Sequence, residues 1–343
     1  MRIGVLTGGG DCPGLNAVIR AAVRVGEEEL GHQVIGYLHG WKGVIEGRSK
    51  ELTIENTSGI LHKGGTILGT SRVTPFMIED GVAKAKATLK ADNIDCLIVI
   101  GGEGTLGCAH SMAKEGVNVV GVPKTIDNDI AETDFTFGFN TAVQVASDAL
   151  DRLHTTAESH DRVMVVEVMG RHVGWIATYA GVSGGADVIL IPEEPFDIDH
   201  VCRNIERRHN RGRTFSIVVV AEGALPKEGT FEVPEPEKDI FGHQKLGGIG
   251  SIITHEIEKR TGFESRYTNL GHVLRGGTPT AFDRVLATRL GVAAVEAASE
   301  KKFDVMVALK GTQIETVKLS KVTGSLKKVD KKFQAKVLRY FGG

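Results

Sequence analysis

Residues 123–129 read PKTIDND, directly after an apolar run. Asp127 and Asp129 sit two apart, with Lys124 and Thr125 just before them. Three chemistries suit this span: an Asx-rich turn, a metal site, or a site that deprotonates a hydroxyl beside a bound phosphate. A sugar hydroxyl is a poor nucleophile until a base takes its proton, and Asp127 or Asp129 can be that base. The other acid then supports a metal ion or positions the base, and the Thr125 hydroxyl faces a phosphate.

Two glycine-rich stretches compete for the phosphate. In GGGDCPG (8–14) the glycines allow close backbone approach, and Pro13 suits the first turn of a helix. Exposed N–H groups and a helix dipole there favour an anion; a plain tight turn is the alternative. In GGEGT (101–105), Gly102, Gly104 and Gly107 formally match GxGxxG after an apolar run. A dinucleotide site would want an acid at the end of the next strand. That strand reads Val122-Pro123-Lys124, so the match is weak. The other reading sets a nucleotide's phosphates on the glycine backbone with Glu103 near Mg2+, which prefers one or two carboxylates plus phosphate oxygens. A capped helix start is the third. No GxxxxGK(S/T) segment and no protein-kinase HRD or DFG set occurs, so any phosphoryl transfer uses another scaffold.

Cations come later in the chain. Arg162, Arg171, Arg266 and Arg275 fall in loops or at strand edges, with His272 between the last two. Arginine on several loops matches phosphate oxygens bidentately, although each alone is as readily a surface ion-pair residue. Glu222 ends the apolar run VVVAEG and suits a sugar hydroxyl.

The elements that must carry these residues alternate in type. RIGVLT (2–7), HQVIGYL (32–38), IDCLIVIG (94–101), NVVGVP (118–123), RVMVVEV (162–168), ADVILIP (186–192), TFSIVVVAEG (214–223) and YTNLGHV (267–273) read as strands, with helices between them. That order implies an α/β fold of mainly parallel sheets with helices on both faces. The polar clusters fall after strands, at the edge where open α/β sheets do their chemistry. A first lobe ends near 138, and a second βαβ series follows with no low-complexity linker, which favours packed lobes with a cleft.

Bulk properties narrow the class. The chain has 343 residues, 41% hydrophobic and 24% charged, with formal net charge -2. It lacks the basic excess of a general nucleic-acid or membrane-surface binder. MRIGVLTGGG lacks a signal peptide's apolar stretch, and no apolar run is long enough to span a bilayer. Cys12, Cys96, Cys108 and Cys202 show no CxxC pairing, so a reducing cytoplasm is expected.

Taken together these segments resemble the 6-phosphofructokinase family, over nearly the whole chain. The match runs from GVLTGGGDCPGLNAVIR through GGTILGTSR, GGEGT, PKTIDND, VEVMGRHVGW and AEGA to LGHVLRGGTP. The resemblance implies two doubly wound lobes with the active site in the cleft between them: 1–138 plus about 273–320 for the nucleotide, 139–272 plus about 321–343 for the sugar phosphate. It implies ATP-dependent phosphorylation of fructose 6-phosphate at the 1-hydroxyl, with Mg2+. Gly10, Arg72, Gly102, Gly104 and Thr105 would hold the donor's phosphates, Glu103 the metal, and Trp41 and Phe76 would lie near the adenine. Asp127 would be the base, assisted by Thr125, Asp129 and Arg171, with Asp129 also at the metal. Met169, Gly170, Arg171, Glu222, His272 and Arg275 would bind the sugar phosphate. Arg162 and Arg266 would reach a neighbouring subunit's site, which implies a homodimer or homotetramer.

Lys124 marks a departure. ATP-dependent relatives usually have Gly there, and pyrophosphate-dependent relatives pair Lys there with Asp at the position of Gly104. The combination of Gly104 with Lys124 is similar to a mixed-substrate, actinobacterial-type subgroup whose members with Gly104 use ATP. A second departure is His154, where relatives carry an effector-site Arg alongside the positions of Arg20, Arg24, Arg211 and Arg213. The competing readings are a reversible pyrophosphate-dependent enzyme, a nicotinamide-dependent dehydrogenase, and a non-catalytic sugar-phosphate sensor. A sensor needs neither the base nor the metal that Asp127 and Glu103 supply.

Overall fold

The computed structural model describes residues 1–231, 247–333 and 335–336. The chain divides into two compact units: Met1–Thr141 with Arg275–Lys327, and Ala142–Leu274 with Lys328–Gly343.

In the first unit, short apolar runs become buried parallel strands and amphipathic segments become the helices that cover them. The order is β1 (Arg2–Thr7), α1 (Leu15–Arg24), β2 (Gln33–Tyr37), α2 (Trp41–Glu46), β3 (Ser49–Leu52), α3 (Gly81–Ala91), β4 (Cys96–Gly101), α4 (Glu103–Lys114), β5 (Val119–Thr125) and β6 (Phe137–Gly138). The second unit is built from α5 (Phe139–His160), β7 (Val163–Val168), α6 (Trp175–Ser183), β8 (Val188–Leu190), α7 (Ile198–Asn210), β9 (Ser216–Ala221), α8 (Ile249–Thr261) and β10 (Ser265–Asn269). Its four strands pair in parallel in the order β10-β7-β9-β8. The chain then returns to the first unit through α9 (Ala281–Ser299), β11 (Val305–Lys310), β12 (Gln313–Lys318) and α10 (Leu319–Val322).

The first sheet runs β12-β11-β5-β4-β1-β2-β3, with β6 beside β5. Its inner strands are parallel; the outer pairs β2–β3 and β11–β12 are antiparallel. Strands β1 and β4 are almost wholly buried, as parallel strands covered on both faces must be. Helix α1 lays its apolar face against α9, and Gly291 makes this possible: a Cβ there would sit 2.7 Å from the Val18 carbonyl oxygen.

Three sequence expectations need correction. The strand expected at 267–273 stops at Asn269; Gly271, at φ +44°, turns the chain into a 3-10 segment over Gly271–Arg275, which carries His272. The strand expected over 118–123 runs on to Thr125, so Lys124 and Thr125 lie on β5 itself, paired with Phe137 and Gly138. Strands β3 (SKEL), β6 (FG), β11 (VMVALK) and β12 (QIETVK) went unread; β3 and β12 are exposed edges without the apolar run that marks a central strand, and β6 is only two residues long, whereas β11 has such a run and was passed over.

All four cysteines are free and buried. Among the described residues no helix is long and apolar enough to cross a membrane.

Candidate active site

In the first unit, the loops after β1, β4 and β5 emerge at the carboxyl ends of three neighbouring parallel strands. Thr105 locks two of them together. A Cβ at Gly8 would sit 2.7 Å from Thr105 Cγ2, and one at Gly101 only 2.3 Å from Thr105 Cβ. Both positions therefore require glycine, and the buried Thr105 side chain fills the space.

The 8–14 loop does not offer all its N–H groups to an anion. Gly8 N–H donates to the Ile100 carbonyl (2.9 Å) and Gly9 N–H to that of Ser71 (3.0 Å). An anion would therefore be met from Gly10 onward. Pro13 lies outside the helix: Gly14, at φ +111°, is the residue before α1 begins at Leu15. Arg275 belongs to this loop as well. Its Nη1 donates to the Asp11 carbonyl at 3.2 Å, and a Cβ on Gly10 would be 2.6 Å from the same nitrogen.

After β4, Gly102 is extended and caps α4, and Glu103 is the first helical residue. The N-terminal dipole of α4 thus faces the same edge as the glycine loops. Glu103 Oε1 accepts from Gly324 N–H at 3.3 Å. At Gly104 a Cβ would meet nothing within 4 Å.

After β5 the backbone N–H of Asp127 donates to Thr125 Oγ1 (3.0 Å), and Asn128 adopts φ +52°, a left-handed turn that Asn tolerates. Asp129 is pushed up to about 6, first by burial and then by the charge of Asp127; Glu103 adds to the effect. Like charges held this close favour a cation among them. Among the described residues, no group of three or more His, Cys, Asp or Glu forms a ready-made cation cage. Glu103 and Asp129 are the sparse carboxylate pair that suits Mg2+ completed by phosphate oxygens.

Lys124 is 4% exposed and its ammonium donates to the Gly10 carbonyl. Burial holds its pKa below the usual lysine range. It is therefore tied into the wall of the site, joining β5 to the first glycine loop.

The aromatic pair separates. Phe76 is 51% exposed on the turn Pro75–Met77 and lines an open groove of about 660 Å³ with Pro75, Ile78 and Val82. Trp41 does not match the expectation of an adenine wall. It is 1% exposed, packed in the core with Tyr37 and Val44, and offers no face for stacking. Arg72 is exposed.

In the second unit, Met169, Gly170 and Arg171 follow β7, Glu222 follows β9, and His272 follows β10, all at the carboxyl edge. The first two loops are stitched together. Glu222 N–H donates to Val168 O (2.9 Å) and Gly223 N–H to Gly170 O (3.1 Å). Gly170, at φ +147°, makes the turn. Arg162 and Arg266 lie elsewhere. Arg162 precedes β7, and Arg266 pairs with Met164 near the start of β10, so both sit at the amino edge of the sheet. β7 is six residues long, which separates the two edges by about 20 Å. The two arginines share one carboxylate: Glu264 is 2.8 Å from Arg162 and also bonds Arg266.

Sequence reasoning missed Glu264, Lys327 and Glu167. Glu167 is a buried acid on β7 that accepts from the backbone N–H of Gly248 and Gly250, the Tyr267 hydroxyl and Asn269 Nδ2. It looks like one polar letter in an apolar strand, and its partners come from distant segments.

Glycine loops, a helix N-terminus and paired carboxylates at one edge of an open parallel sheet are the parts of an α/β phosphate-handling protein. A phosphofructokinase family model matches residues 2–298. The chain is 55% identical over 342 residues to the pyrophosphate--fructose 6-phosphate 1-phosphotransferase of Amycolatopsis methanolica, covering 100% of each chain. It is 57% identical over 330 residues to the ATP-dependent 6-phosphofructokinase of Corynebacterium efficiens, covering 96% of this chain and 95% of that one. Among solved structures, the phosphofructokinase of Saccharomyces cerevisiae superimposes with a TM-score of 0.81 at 33% identity, over 93% of this chain and 45% of the longer yeast chain. The chain belongs to the phosphofructokinase family.

Proposed function

We propose that this chain is an ATP-dependent 6-phosphofructokinase, which phosphorylates the 1-hydroxyl of fructose 6-phosphate to give fructose 1,6-bisphosphate, a committed step of glycolysis. Relatives of nearly equal identity are named for different donors, so overall similarity does not choose between ATP and pyrophosphate. The observation that carries the choice is the open space at Gly104, where nothing outside its own stretch of helix stands within 4 Å of a Cβ position. A nucleotide needs room beyond its second phosphate, and a side chain there would take it.

The residues divide the work. Asp127 takes the proton of the 1-hydroxyl as that oxygen bonds to the γ-phosphorus. The bond from phosphorus to the β–γ bridging oxygen breaks and ADP departs. Thr125 presents its hydroxyl to the transferring group while fixing the Asp127 backbone. The Gly10 loop, Gly102, Gly104, Thr105 and the α4 dipole hold the donor's phosphates, with Arg72 beside them and Phe76 near the base. Lys124 supports charge on the leaving phosphates from its fixed place on Gly10. Glu103 and Asp129 are the groups that would hold Mg2+, which when bound neutralises charge on the phosphate oxygens. Arg171 assists the transferring phosphoryl. Met169, Gly170, Glu222, His272 and Arg275 bind the sugar phosphate.

Arg162 and Arg266 sit too far along their own sheet to join Met169 and Glu222 on one small ligand. Their position supports a role at a neighbouring subunit's site, in a dimer or tetramer.

Pyrophosphate use is the second reading, favoured by Lys124 and the A. methanolica relative. An assay coupled to fructose 1,6-bisphosphate formation, run with each donor, tests both. A higher kcat/KM with ATP supports the proposal; a higher value with pyrophosphate overturns it.

A further inference from the structure

We propose that Lys327 is a positioning residue for phosphoryl transfer, whose ammonium holds the Asp127–Asp129 loop in its working shape. The inference rests on the reading of Asp127 as the base.

The loop leaves β5 at Thr125 and returns just before β6, where Thr136, eleven residues later, donates its Oγ1 to the Thr125 carbonyl at 2.8 Å. Between these points the chain has little regular structure, yet it must hold two carboxylates in place. Lys327 supplies the order. Its Nζ donates to Asn128 Oδ1 (2.9 Å), the Thr133 carbonyl (2.8 Å) and the Asp134 carbonyl (2.8 Å). An ammonium has three N–H donors, and here each has an acceptor on the loop. The Lys327 backbone N–H also donates to the Asp129 carbonyl at 2.8 Å, and Leu326 bridges to Ile130.

Asn128 joins the clamp to the acids. It is buried, lies between Asp127 and Asp129, and accepts from Thr136 N–H at 3.1 Å through the same Oδ1 that meets Lys327. The left-handed Asn128 sets the angle at which its two acidic neighbours leave the backbone. Shape is thus handed from Lys327 to Asn128 and on to both carboxylates. The Nζ hydrogen bonds of Lys327 go to Asn128, Thr133 and Asp134 of the loop, so its effect passes through the loop. Geometric errors near 1 Å at a reacting centre cost on the order of 10²-fold in rate.

Lys327→Met keeps length and removes the donors. The expected result is a folded protein whose kcat falls about 10- to 100-fold, while KM for ATP and for fructose 6-phosphate each stay within about threefold. Lys327→Ala should regain activity saturably with added propylamine and not with propanol. A purely structural lysine would lower the melting temperature and leave the kcat of the folded protein unchanged. The inference is overturned if folded Lys327→Met keeps kcat within twofold while Asp127→Ser is inactive. If Asp127→Ser itself stays active, the base assignment fails instead, and this inference with it. Should Lys327→Met not fold, Lys327→Gln, which keeps two donors, should lose less than about tenfold in kcat with KM unchanged, and failure of propylamine to revive Lys327→Ala overturns the clamp.

Discussion

Replacing Gly104 by Asp tests the donor assignment most directly. A Cβ at this position meets nothing within 4 Å, so the carboxylate enters without a clash. Gly104 is the second residue of α4. An acid in a first helical turn is worth about 0.3–1 kcal/mol from the helix dipole, and loss of glycine's unfolded-state freedom adds about 0.4–1 kcal/mol. The variant should therefore fold at least as stably as the parent, and any loss of activity belongs to the donor. Two unit charges about 4 Å apart at a protein surface repel by about 4 kcal/mol, and each 1.4 kcal/mol is tenfold. ATP should then lose about 10²- to 10³-fold in kcat/KM, with KM for fructose 6-phosphate little changed. Pyrophosphate, which has no phosphate beyond the second, should lose far less and can gain on ATP because Lys124 is already in place. The assay follows fructose 1,6-bisphosphate formation with each donor, beside a thermal melt. A Gly104→Asp protein with unaltered melting temperature and unaltered ATP kinetics would refute the reasoning.

Asp127→Ser should lower kcat about 10²- to 10⁴-fold while sugar binding by calorimetry persists; turnover within threefold of the parent rules Asp127 out as the base. Arg162→Ala and Arg266→Ala should each raise KM for fructose 6-phosphate more than KM for ATP. Mixed oligomers of Arg162→Ala and Asp127→Ser chains should recover activity, and confirmed mixed assemblies without activity count against a shared site. Asp129 has a folded pKa of about 6 against 3.8 for the ordinary group. Its burial is therefore free of cost below pH 4 and costs stability as pH rises through 6, approaching roughly 3 kcal/mol near neutrality. Without divalent cations, Asp129→Asn should raise the melting temperature at pH 7.5, and the gain should vanish near pH 4. An equal shift at both pH values would show that Asp129 does not titrate as described.

The sequence by itself determined the strands from β1 to β10 and the helices between them, apart from β3 and β6, and the polar clusters at strand ends. Both follow from local rules. Buried parallel strands such as CLIVIG need continuous apolar runs, and Gly101 must be glycine because Thr105, four residues on, fills its Cβ position. GGEGT was legible for that reason, and PKTIDND because its polar residues close the apolar run of β5. Tertiary structure decided what depends on distant partners. Trp41 has the composition of a ring-stacking residue, yet the packing of α2 turns it into the core. Lys124 has the appearance of a free cation, yet it is buried on the Gly10 carbonyl. Arg162 and Arg266 are ordinary basic letters until sheet register puts them at the amino edge, about 20 Å from the carboxyl edge that carries Met169, Arg171 and Glu222. Lys327 follows Asp127 by some two hundred residues, and no local pattern links them. An ammonium finds three acceptors on one loop only after the sheet has brought the chain's late segment beside β5.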